Sequence, residues 1–177
     1  VAFVVTVVLE FSLVLFRSRV AVGGSIVTSR LGSFAPLAAL IDVDLGSTGK
    51  TAASTLELSA TELASIQAGT LEVLTGGTIF LTSNLNTAPN VGALSLLGEA
   101  GIAQTAGSLM ATKLLLDGGF VALSAPSNAI GTVAASSLNA LEINVGGPVT
   151  VGTGPGISGV EAGGSVSLRA TGTARLG

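Results

Sequence analysis

The chain has 177 residues, 25 of them glycine, and no cysteine, histidine, tryptophan or tyrosine. Charged residues are 10% and aromatics 3%, the mean hydropathy is +0.79, and the net charge is −3. These values exclude intrinsic disorder, disulfide scaffolds, Cys/His zinc sites, and catalysis by a histidine base or a cysteine nucleophile, while the scattered Lys and Arg argue against nucleic acid as a partner.

The first sixteen residues are apolar except for Thr6, Glu10 and Ser12. Every odd position from Val1 to Leu15 is apolar, and the polar residues fall on even ones. That alternation predicts one or two strands. A membrane span wants about 20 apolar residues without a central carboxylate, and a signal peptide wants a basic region first.

The segment Gly46-Ser47-Thr48-Gly49-Lys50-Thr51 follows an apolar stretch, much as a phosphate-binding loop follows a strand. The loop pattern needs its first glycine two residues before Gly46, where Asp44 stands, so a simple turn is the better reading. Asp42 and Asp44 lie two apart, on one strand face, where they could share a cation. Calcium wants six to eight oxygens, which two carboxylates do not supply, so no metal site is assigned. Further on, Ser59-Ala60-Thr61-Glu62 has capping-box spacing and precedes Leu63-Ala64-Ser65-Ile66, predicting a turn or two of helix near residues 60–66 at a coil corner.

From there the chain repeats. Gly76-Gly77-Thr78-Ile79-Phe80-Leu81 reads against Gly118-Gly119-Phe120-Val121-Ala122-Leu123 and Gly163-Gly164-Ser165-Val166-Ser167-Leu168, with a weaker copy at Gly146-Gly147-Pro148-Val149. In each, a glycine pair turns the chain and a short period-two strand follows. The offsets correspond to two turns of a repeat of about 21 residues. Thr70-Leu71-Glu72-Val73-Leu74 and Leu141-Glu142-Ile143-Asn144-Val145 have the same texture, and Leu94-Ser95-Leu96 and Leu114-Leu115-Leu116 are further strand candidates. Such short strands must stack to bury their apolar faces. Helices do not alternate with them, which argues against a doubly wound α/β sheet.

Four segments resemble repeats of the filamentous-haemagglutinin-like bacterial adhesins. Leu56 to Leu71 (LELSATELASIQAGTL) looks like their "LxLSAxELxxIxAGTL". Gly101 to Leu109 is similar to "GxIxQTAGSI", Val121 to Val133 to "VxLxxxxNxIGTL", and Val149 to Val160 to "LTVGTVxGxxGI". They occur in the family's order, over roughly residues 50–177. The resemblance implies a right-handed parallel β-helix shaft, secretion through an outer-membrane partner, and adhesion to cells or surfaces.

A polysaccharide-acting enzyme on such a shaft would need paired carboxylates or a carboxylate–arginine cluster. Glu57, Glu72, Glu142, Glu161 and Arg169 are expected singly, one per coil, on a solvated face. Asn128, Asn139 and Asn144 are expected to stack inside the coil or cap its turns, since asparagine tolerates left-handed backbone.

The expectation is therefore all-β: a right-handed parallel β-helix of about 20–22 residues per coil and about eight coils, forming a rod on the order of 40 Å long. Residues 1–177 read as one β-solenoid fragment of a longer protein, with 1–40 as an atypical, apolar, strand-rich part. No catalytic, cofactor or metal residue is assigned. The expected role is a non-catalytic shaft segment of a secreted or surface-exposed adhesin that contacts host-cell or surface glycans or proteins. The alternatives are a purely structural spacer or surface-layer protein and, less favoured, a β-helix enzyme or a nucleotide-binding protein.

Overall fold

The computed structural model describes residues 12–15, 26–36, 40–47 and 55–177. They form a parallel β-solenoid of about five turns. One sheet runs in the order Val166–Ala170, Leu141–Val145, Val121–Leu123, Gly101–Gln104, Thr78–Leu81, Asp42–Leu45, Thr55–Leu58. The larger sheet runs from Ser12–Leu15 through Ile26–Pro36, Ile66–Thr75, Val91–Gly98, Leu109–Gly118, Ala129–Ser137 and Val149–Val151 to Ala174–Leu176. We call these the short-strand sheet and the long-strand sheet.

Register sets the coil length. Ile79 pairs with Ile102, Ile102 with Val121, Val121 with Leu141, and Leu141 with Val166. These steps are 23, 19, 20 and 25 residues, bracketing the expected 20–22. The described residues make about five turns, fewer than the eight expected. Of the apolar N-terminal run, Ser12–Leu15 is a strand paired with 33–36. The rest of that run, residues 1–11 and 16, lies outside the described residues.

Inward side chains stack in columns, as period-two strands in register require. Ile79, Ile102, Val121 and Leu141 form one; Leu71, Leu94, Leu114 and Val133 form another, and all are at most 2% exposed. The long strands slip out of alternation once: Ala111 and Leu114 both point inward, with Thr112 and Lys113 between them facing out. Each long strand thus bends and serves two sides of the coil.

The glycine pairs act differently from the expectation that they turn the chain by their conformational freedom. Among the described glycines, only Gly46, Gly107, Gly156 and Gly159 have left-handed φ. At Gly77 and Gly119 the constraint is close approach. A Cβ would lie 2.7 Å from the Ile41 carbonyl oxygen at Gly77 and 2.6 Å from that of Glu99 at Gly119. The weaker copy at Gly146-Gly147 sits at another corner, leading into the long-strand sheet, and a Cβ on Gly147 would meet nothing.

One departure from regular winding follows Leu45. Strand Thr55–Leu58 pairs with Asp42–Leu45 on the side away from Thr78–Leu81, so the chain steps back one rung before advancing. Helix Ala60–Ala64 makes the return, with the predicted capping box complete. The Glu62 N–H donates to Ser59 Oγ at 3.3 Å and the Ser59 N–H donates to Glu62 Oε2 at 2.9 Å. Asn90 Nδ2 donates to the Ala64 carbonyl at 2.8 Å, tying the helix end to a neighbouring coil.

Candidate functional surface

Among the described side chains, the charged residues stand on the outside of the coils, where alternation puts them. Asp42 and Asp44 share a strand face as predicted, but each is engaged separately. Asp42 Oδ1 accepts from the Thr78 N–H at 2.8 Å, and Asp44 Oδ1 accepts from the Thr82 hydroxyl at 2.5 Å. The back-stepping strand sets Glu57 beside Asp44 in register, a carboxylate neighbour that sequence spacing could not reveal. Glu57 accepts from the Ser47 hydroxyl at 2.5 Å. Among the described residues, no group of three or more His, Cys, Asp or Glu is placed to hold a metal ion.

Of the glycine-rich segment at 46–51, Gly46 and Ser47 are described. Gly46 has a φ of +109° and its N–H donates to the Leu58 carbonyl at 2.7 Å. Residues 48–51 lie outside the described residues.

The remaining candidates are spread over both sheets. Glu72 accepts from the Ser33 hydroxyl at 3.2 Å, and Glu161 stands in register with Ser136, both on the long-strand sheet. On the short-strand sheet Glu142 accepts from Asn144 Nδ2 at 3.2 Å, while Arg169 stands beside Asn144 on the next rung. The fold brings Glu142 and Arg169 to adjacent rungs and keeps Glu72 and Glu161 on the other sheet. A pair flanking a sugar linkage would need two carboxyl groups facing one space; Glu72 and Glu161 stand on well-separated rungs of their sheet, while Asp44 and Glu57 stand on adjacent rungs, each accepting from a hydroxyl.

The three asparagines work through side-chain amides, not through left-handed backbone, since Leu40 is the non-glycine residue with positive φ among those described. Asn139 Nδ2 donates to the Gly119 carbonyl at 2.8 Å and Asn144 Nδ2 to that of Ser124 at 2.9 Å, each reaching back one coil. With Nδ2 so committed, Asn144 Oδ1 is left buried without a hydrogen-bond partner. Asn128 is fully buried and bonds to Gln104, which stands outside the candidate residues expected from the sequence. The signal was available: Gln104 is two residues after the inward Ile102 and so falls on the inner face.

Among the described residues no helix is long and apolar enough to cross a membrane. The class these features define is the parallel β-solenoid. No protein-family model, curated protein or solved structure matches the chain.

Proposed function

We propose that this chain is a non-catalytic shaft segment of a secreted or surface-exposed bacterial adhesin of the haemagglutinin-like kind. In this reading an outer-membrane partner exports the parent protein, and the shaft attaches it to cells or surfaces. The observation that carries the proposal is the ladder itself. Asp42–Leu45 to Val166–Ala170 form one run of parallel rungs around an apolar interior. Its outward residues form long, sparsely charged faces, which suit many weak contacts acting together. The four ordered motifs that resemble the adhesin repeats support the same reading.

The test is to display the chain at high density on beads and measure retention on cell monolayers, glycan arrays and bare surfaces. Retention above that of beads carrying an unrelated β-solenoid supports adhesion. Retention no better than that control on every surface replaces the adhesin with a passive spacer. Release of soluble sugars from a polysaccharide panel by the purified chain would overturn the non-catalytic part.

A further inference from the structure

Residues 152–159 leave the coil and rejoin it without breaking the rung. Thr150 and Val151 pair with Thr132 and Val133, and Val160 to Ala162 pair with Ala135 to Ser137. The inserted segment therefore stands where an unbroken strand would place a single residue, opposite Ala134. It folds as an antiparallel hairpin, with Thr153 opposite Ser158 and Gly154 opposite Ile157. It lies on the outer face of the long-strand sheet, where Ile157 joins Leu115 and Ala134 in an apolar cluster separate from the main core. The two ends meet at the sheet: the Gly159 N–H donates to the Gly152 carbonyl at 3.0 Å, and the Ala135 N–H to the Gly159 carbonyl at 2.9 Å. Gly159 has a φ of +87°, open to glycine and strained for other residues.

We propose that this hairpin is a hinged cover, opening about Gly152 and Gly159 while the rung beneath stays paired. The two parts are held unequally. The rung keeps its ladder to Ala129–Ser137, and Val149–Val151 also pairs with Ala174–Leu176 on its far side. The hairpin is held by a three-residue cluster and its own short ladder. Local openings of this kind occur far below the cost of global unfolding. Opening unmasks Leu115 and Ala134. Leu97 lies diagonally next to Leu115 and in register with Leu74, which is 38% exposed. The uncovered face is then an apolar strip crossing four rungs.

The chain has no cysteine, so single thiols report cleanly. Ala134 and Ala135 are adjacent and both 0% exposed, but the first lies under the hairpin and the second inside the coil. Maleimide should label the Ala134→Cys variant at least about 100-fold faster than the Ala135→Cys variant, at a rate insensitive to low urea. Adding Ile157→Ala should speed the first by roughly tenfold and leave the second unchanged, because it removes the cover's apolar contact. In the unsubstituted chain, the amides of Thr153, Gly154, Gly156, Ile157 and Ser158 should exchange faster than those of Val151 and Val160. Equal labelling rates with equal urea dependence, no response to Ile157→Ala, or equal amide exchange would each overturn the proposal.

Discussion

Gln104 and Asn128 hold each other by both ends of their amides. Gln104 Nε2 donates to Asn128 Oδ1 at 2.9 Å, and Asn128 Nδ2 donates to Gln104 Oε1 at 2.9 Å. The same groups serve the backbone around them: the Leu109 N–H donates to Asn128 Oδ1 at 2.8 Å, and Gln104 Nε2 donates to the Gly107 carbonyl at 3.0 Å. An apolar interior penalises a polar group without partners, so this pair is stable only when the two coils sit in this register. A one-residue slip would turn the inward side chains out.

Asn128→Ala should therefore lower stability by about 1–3 kcal/mol, because it leaves the Leu109 N–H without its acceptor and strips one hydrogen bond from each end of the Gln104 amide. A urea-denaturation cycle with Gln104→Ala should give a coupling energy of about 0.5–3 kcal/mol. Strict additivity would show that the amides do not act as a pair.

The glycine corners make a paired prediction. Gly119→Ala should cost about 1–3 kcal/mol, since its Cβ would press on the backbone of the preceding coil. Gly147→Ala meets open space and should be neutral or stabilising by about 0.4–1 kcal/mol, through a less flexible unfolded chain. Thermal melting of the two variants side by side is the check, and the order of their midpoints decides it.

Burial separates two leucines that composition treats alike. Leu116 is 0% exposed in an inner column, and Leu138 is 78% exposed at a coil corner. Leu116→Ala should destabilise by about 2–5 kcal/mol, whereas Leu138→Ala should stay within about 0.5 kcal/mol. Chemical denaturation of both would measure the gap; similar losses would contradict the inward and outward assignment.

The capping box gives a local test. Ser59→Ala removes the acceptor for the Glu62 N–H and should cost about 0.5–2 kcal/mol. The loss should register as faster amide exchange across Ala60–Ala64 and the adjoining strand Thr55–Leu58. Unchanged exchange there would mean that the Ser59 hydroxyl does not hold the helix, leaving its other bonds and the packing of Leu63 to do so.

Several of these features were legible in the residues. Leu141, Ile143 and Val145 alternate with Glu142 and Asn144, and all three are buried in the observed strand. Ser59 and Glu62 carry a local motif and form the local structure it predicts. The recurring glycine pairs marked coil length, although their reason is steric contact between coils. Gln104 was legible by parity alone, yet a polar residue on an inner face gains meaning only once its partner, Asn128, is known to lie on the next coil.

Local information was thus enough to determine that this chain winds into a parallel β-solenoid, because a period-two apolar pattern punctuated by recurring glycine pairs has few other ways to bury its strands. Tertiary structure decided the rest. It alone shows Thr55–Leu58 stepping back to place Glu57 beside Asp44, and the 152–159 hairpin folding out to cover Leu115 and Ala134. Both depend on which segments become neighbours in space across coils. The stacking of rungs sets that adjacency, and no local run of residues encodes it.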